Sequence, residues 1–228
     1  MANVILIAGT YHGGWYWDGL AENLRALGHS VFAPTLSGLD ATGPSDRAVN
    51  LDTHINDVLS IVDENQLTEV VIVGWSYGGM VVTGAADRTK AKVKALVYLD
   101  AWAPRSGQAE WDLIPDYDKP GFLASCTDGL NLRVNPAFLA HEPRMTTHPL
   151  ATKLQPLHFD EAKFAEFKKV FVHGEKWFHD PAVPSPFVQI LDRARVEPNW
   201  QVHSWPVGHD LYREAPDQVQ SVILEALA

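Results

Sequence analysis

The sequence predicts an α/β protein: a mostly parallel sheet of about six strands with helices on both faces, and a cap at 101–165 inserted between core segments 1–100 and 166–228. Three observations lead there. Short β-branched and apolar runs alternate with stretches of helical periodicity, the pattern of strands joined by crossover helices. Two of those runs end in glycine-rich turns that open into helices. The stretch 101–165 is rich in proline and carries only short amphipathic pieces, such as Pro136-Ala137-Phe138-Leu139-Ala140-His141.

In chain order, Asn3 to Ala8 is the first strand, ended by Gly9. A glycine loop, Gly9-Thr10-Tyr11-His12-Gly13-Gly14-Trp15-Tyr16-Trp17, leads to a helix from Asp18 to Gly28, with Asp18 as cap, Leu20, Leu24 and Leu27 as apolar face, and Gly28 as stop. Ser30 to Pro34 is a second strand and Leu36 to Asn50 a polar loop. Leu51 to Asp63 places Leu51, Ile55, Val58, Leu59 and Val62 on one helical face. Val70-Val71-Ile72-Val73 reads as a strand buried on both sides, followed by a helix from Tyr77 to about Arg88. Val93 to Asp100 is the next strand. Beyond the cap, Lys169 to Gly174 and Trp200 to Trp205 are strands, while Phe187 to Val196 and Ala215 to Leu227 are helices.

The chemistry centres on Gly74-Trp75-Ser76-Tyr77-Gly78. The pentapeptide alone is a weak signal; a strand before it and a helix after it make it a strong one, because such a tight turn holds the serine exposed above the sheet edge. Ser76 is the expected nucleophile. Acyl transfer then needs two donors about 3 Å from the developing oxyanion, and the backbone N–H groups of Thr10 and Tyr77 suit that task. The Gly9 loop lacks both Gly-x-Gly-x-x-Gly and the P-loop pattern, so it is not read as a nucleotide site, and no cofactor is expected. His209, in Pro206-Val207-Gly208-His209-Asp210 before the last helix, is the expected base; the remaining histidines read mostly as surface or loop residues. The aromatic pocket is expected to include Tyr11, His12, Trp75, Trp102 and Trp111.

Composition narrows the class. A formal charge of −10 repels phosphate backbones, so nucleic acid is not an expected partner. No run reaches the roughly 18 apolar residues of a membrane span, and no leader pattern precedes the first strand. A soluble protein beginning near Met1, monomeric or homodimeric, is expected. Cys126 is the single cysteine, which suits a reducing cytoplasm. No metal is expected: His-Glu-x-x-His is absent, and His173, Glu175, His179 and Asp180 have no recognisable ligand spacing.

Taken together, the serine turn, the glycine loop and the Gly-His-Asp segment, in the order Ser then His, resemble the α/β-hydrolase superfamily over essentially the whole chain. Ala8-Gly9-Thr10-Tyr11-His12-Gly13-Gly14-Trp15-Tyr16-Trp17 is similar to the His-Gly-x-x-His-Gly-Gly-Trp-x-Trp pattern of the small-esterase and hydroxynitrile-lyase branch, with Ala8 in place of the first histidine. Lyases of that branch typically carry threonine at the position matched by Gly9 and lysine directly after the histidine; Gly9 and Asp210 here imply an esterase. Ser76 sets the chain apart from haloalkane dehalogenases and epoxide hydrolases, whose nucleophile is aspartate. The resemblance implies a serine esterase of carboxylesterase type acting on a small hydrophobic or aromatic ester, with amide or carbamate as variants. The alternatives are a receptor-like ligand-binding protein on the same fold, and a hydroxynitrile lyase or carbon–carbon hydrolase.

The acid that orients His209 has three candidates. In most of the superfamily it follows the strand that ends here at Gly174, which nominates Asp180 and then Glu175. Asp100 is preferred, because it ends the strand next after the Ser76 strand and stands between Leu99 and Ala101-Trp102, a costly place for an unpaired carboxylate.

Overall fold

In the computed structural model of the protein, residues 1–40, 49–176 and 185–228 are described. The apolar runs become β1 (Asn3–Ile7), β2 (Ser30–Phe32), β3 (Glu69–Trp75) and β4 (Lys92–Leu99). Between them lie α1 (Asp18–Ala26), α2 (Leu51–Glu64) and α3 (Gly78–Arg88). The chain then leaves the sheet through α4 (Glu110–Leu113), α5 (Lys119–Ser125), the two-residue strand β5 (Asn131–Leu132), α6 (Pro136–Leu139), its antiparallel partner β6 (His148–Pro149), α7 (Ala151–Leu154) and α8 (Glu161–Glu166). It returns with β7 (Lys169–Lys176), α9 (Val188–Ala194), β8 (Trp200–Gly208), α10 (Leu211–Glu214) and α11 (Pro216–Leu227).

Six strands form one sheet in the order β2-β1-β3-β4-β7-β8, and every neighbouring pair is parallel. Alternation along the strands feeds two cores. Ile5, Ile7, Val70, Ile72 and Leu96 face the layer of α2, α3 and α9, whereas Val4, Leu6, Val71, Val73 and Val97 face α1 and α11. Burial on both faces is why these strands read as continuous apolar runs instead of alternating ones.

Local signals account for most boundaries. Asn50 caps α2, its side chain accepting from the Thr53 amide at 3.0 Å while Thr53 Oγ1 accepts from the Asn50 amide at 3.3 Å. α1 stops before Leu27, which is 55% exposed and not on the buried face expected of it, and Gly28 takes a φ of +89°. β8 runs three residues beyond Trp205, so His209 follows the strand directly, and the short α10 precedes the last helix.

All six strands of the sheet are parallel, so the loops after β1, β3, β4, β7 and β8 gather at one edge. In sheets of this kind that edge carries the ligand site.

Candidate active site

Ser76 stands between the end of β3 and the start of α3 with φ +56°, a left-handed conformation that costs a non-glycine residue energy and is retained where the surroundings enforce it. Close packing enforces it here. A Cβ on Gly74 would lie 2.6 Å from Val82 Cγ2 and 2.7 Å from the Gly78 carbonyl carbon, and one on Gly78 would lie 2.7 Å from the Ile7 carbonyl oxygen. Glycine is thus required at both positions by how nearly β1, β3 and α3 approach one another. The turn is tied to the next strand by the Ser76 amide, which donates to Leu99 O at 3.3 Å, and by the Trp102 amide, which donates to Ser76 O at 3.1 Å.

Asp100 leaves β4 with φ +42° and is fully buried. Its carboxylate accepts three hydrogen bonds: from His209 Nδ1 at 2.7 Å, from His173 Nδ1 at 3.0 Å and from the Gly174 amide at 3.2 Å. Such a set satisfies a buried carboxylate and holds it in one orientation. A His209 ring that donates through Nδ1 carries its lone pair on Nε2, the tautomer a general base needs. The imidazole is fixed from other sides too. Phe187 stacks on it at 5.2 Å and 10°, and Trp75 Nε1 donates to the His209 carbonyl at 2.8 Å. Trp75 is itself stacked on Tyr16 at 4.5 Å and 6°, and the Tyr16 hydroxyl donates to Asp210 at 2.5 Å.

Ser76, His209, Thr10, Tyr11, His12, Trp75 and Trp102 line one cavity of about 1020 Å³, together with Ile114, Phe122, Val134, Phe138, Met145 and Phe187. The walls are mainly apolar. Trp111 is not in the wall. Its side chain packs against the core on the α2–α3 face, and the Lys119 ammonium lies 5.8 Å from its ring centre. Residue 111 sits in the irregular segment, where no periodicity tells which way a side chain points.

Of the other acids considered for His209, Glu175 is exposed at the end of β7, and Asp180 lies outside the described residues, as does His179. Among the described residues no group of three His, Cys, Asp or Glu side chains is arranged to hold a metal ion. No helix among them is long and apolar enough to cross a membrane.

Tyr77 precedes α3, and its amide is one of the first-turn N–H groups that lack an intrahelical acceptor. Its hydroxyl lies 2.8 Å from His54 Nδ1, the other ring nitrogen, Nε2, donates to Ser37 O at 2.8 Å, and burial keeps His54 neutral. His148 is likewise neutral: Nδ1 accepts from the Tyr11 amide at 3.4 Å and Nε2 contacts Thr152 Oγ1 at 2.9 Å. Both rings are fully buried, and His173, inside β7, is 5% exposed, which corrects the expectation that these histidines sit in loops or at the surface. Burial drives the His54 pKa down to about 4 and that of His148 well below its ordinary value.

That depression has a consequence for stability. Between about pH 6.5 and 4 the unfolded chain takes up protons that the folded rings refuse, so stability present above that window is lost as the pH falls through it. His54 alone contributes a loss of about 3 kcal/mol by pH 4. Urea unfolding followed from pH 7.5 to 4 should show the midpoint falling steadily below pH 6.5; a constant midpoint across the window would contradict the neutral assignments.

Comparison with known proteins adds four findings. Residues 4–221 match the model of the Alpha/beta hydrolase family. A carbendazim hydrolyzing esterase from Nocardioides sp. (strain SG-4G) is 35% identical over 240 residues, covering 96% of this chain and 97% of that one; an alpha-hydroxynitrile lyase from Arabidopsis thaliana is 33% identical over 152 residues, covering 64% of this chain and 54% of that one. Among solved structures, an extracellular alpha/beta-hydrolase from a Paenibacillus species superposes with a TM-score of 0.83 at 20% identity, over 99% of both chains.

Proposed function

The chain belongs to the alpha/beta hydrolase family, and from that premise we propose that it is a cofactor-independent serine esterase cleaving small hydrophobic or aromatic esters, carbamate esters included, through an acyl-enzyme on Ser76. The observation that carries this reading is the 2.7 Å hydrogen bond from His209 Nδ1 to buried Asp100, at the sheet edge where Ser76 stands in its strained turn.

In this mechanism His209 Nε2 takes the Ser76 proton as Oγ attacks the ester carbonyl. The Thr10 and Tyr77 N–H groups stabilise the oxyanion of the tetrahedral intermediate. Its collapse expels the alcohol, which leaves with the proton from His209. Water then enters, gives a proton to the same nitrogen and releases the acid, restoring the serine. Asp100 keeps the ring in the useful tautomer and stabilises the imidazolium that forms at each attack. The segment 101–165 acts as a cap over the site, contributing Ile114, Phe122, Val134 and Phe138 to its apolar wall. The single cysteine, Cys126, agrees with action in the cytoplasm.

The lyase alternative is disfavoured by the space around Gly9. A Cβ there would lie 2.9 Å from Ser76 Cβ and 2.9 Å from Trp75 Cε3, so the threonine typical of the lyases has no room. Nor does a cation follow His209: Asp210 stands there, hydrogen-bonded to Tyr16. The carbamate class is supported by the 35% identical relative, whose name states that it hydrolyses carbendazim.

A substrate screen tests the reading. Short-acyl and aromatic nitrophenyl esters and aryl carbamate esters should be cleaved at least about tenfold faster, in kcat/KM, than long-chain triglyceride, since an apolar cavity near the upper size for small-molecule sites discriminates through the fit of the whole substrate. Cyanide release from a cyanohydrin, with no ester turnover, would move the protein to the lyases.

A further inference from the structure

Lys153 and Glu110 form an ion pair inside the protein, their side chains 0% and 3% exposed, with Nζ 2.9 Å from each carboxylate oxygen. Removing two such charges from water costs several kcal/mol per ion, and an apolar pair of similar volume commonly packs as well or better. Stability alone is therefore a poor reason for them to be here. Their location is more informative. Lys153 lies on α7 and Glu110 on α4, both within the segment 101–165, yet the ammonium also donates to Thr10 Oγ1 at 2.9 Å, in the loop after β1. The same ammonium stands 5.1 Å from the centre of the Tyr77 ring. Thr10 is held from a second side by His12 Nδ1, which donates to its carbonyl at 2.8 Å. Thr10 and Glu110 both line the substrate cavity.

We propose that Lys153, held by Glu110, is a positioning residue for the oxyanion hole: it pins Thr10 through its hydroxyl. The inference rests on the assignment of Thr10 and Tyr77 as those donors. A donor aimed before reaction starts needs no reorganisation as negative charge develops. The pair also couples segment 101–165 to the chemistry, because the residue that fixes the hole belongs to the element that covers it.

The contribution is made in the transition state, so it separates kcat from KM. Thr10→Val keeps the backbone N–H and the side-chain shape but loses the hydroxyl. Loosening a donor, as opposed to removing it, should lower kcat for a 4-nitrophenyl ester by about 10- to 100-fold, with KM changed by less than about threefold. Thr10→Ser, which keeps the hydroxyl, should recover most of that loss. The paired variant Lys153→Met/Glu110→Gln, which leaves no buried charge unpartnered, should show the same kcat deficit. Combining it with Thr10→Val should add little, since all three changes break one interaction. Affinity for a trifluoromethyl ketone, which forms an oxyanion adduct, should fall in step with kcat/KM, while affinity for an unreactive amide of the same shape should not.

Retention of kcat within about twofold in Thr10→Val, losses that multiply in the combined variant, or a deficit confined to KM would each overturn the proposal. Thr10→Val decides the matter even if the paired variant fails to fold. Ser76→Ala measured with the same ester separates the two levels of inference. Persisting turnover there overturns the serine-esterase reading and the positioning role with it; serine-dependent turnover indifferent to Thr10→Val overturns the positioning role alone.

Discussion

Ser76→Ala is expected to lower kcat for a small nitrophenyl ester by on the order of 10⁵ to 10⁶, the scale seen when the nucleophile of a serine–histidine–aspartate set is removed. The loss should leave the fold intact. Ser76 is only partly buried, and its tie to the neighbouring strands runs through backbone groups, the amide to Leu99 O and the carbonyl to the Trp102 amide, which alanine retains. Alanine at φ +56° bears the same steric cost as serine, so thermal unfolding should shift little. The residual rate should reflect the oxyanion donors and binding, which a missing hydroxyl does not disturb. Near-normal turnover in this variant would refute covalent catalysis at Ser76.

Asp100→Asn should cost about 10⁴ in turnover with the structure preserved. Asparagine has the size of aspartate and still offers one oxygen, but its amide nitrogen donates where the carboxylate accepted. Asp100 now receives from His209, His173 and the Gly174 amide. With only one carbonyl oxygen available, one imidazole must turn or present a lone pair, and if His209 does so its proton moves to Nε2, where a lone pair is needed. Asp180→Asn should be mild by comparison. A near-normal Asp100→Asn enzyme beside a crippled Asp180→Asn enzyme would move the acid to the loop after β7.

The parts of this protein legible in its sequence are those governed by neighbours along the chain. The β-branched run at 70–73, the glycines at 74 and 78, and an aspartate set between Leu99 and Ala101 each announce a strand, a tight turn and a buried carboxylate without reference to anything distant. His173 was not legible in that way. It reaches Asp100 because β7 lies beside β4 with Val172 opposite Leu99, and that register is a property of the assembled sheet. The one local hint was its place two residues after Phe171, on the same face of a strand that ends at the catalytic edge. His54 was concealed for a related reason: one polar residue in an amphipathic helix looks solvated until its partners, Ser37 O and the Tyr77 hydroxyl, are brought to it from elsewhere in the chain. Lys153 lies among Thr152, Leu154 and Gln155 in an irregular stretch that reads as surface, and its carboxylate partner is 43 positions earlier. In the same stretch Trp111, Phe122 and Phe138 all read as pocket aromatics, yet only Phe122 and Phe138 of these hold its wall, because side-chain direction there is set by tertiary packing and not by a period.

The central claim is that Ser76, activated by His209 and Asp100, becomes the acylated residue, and covalent trapping tests it most directly. An alkyl fluorophosphonate reacts with an activated serine to give an adduct that water releases slowly. Incubation with the protein, followed by peptide mass mapping, should find one phosphonyl group per chain, on the peptide containing Ser76, with esterase activity lost in step with labelling and labelling slowed by orders of magnitude in Asp100→Asn. A label on any other residue, or full inhibition with Ser76 unmodified, would contradict the account.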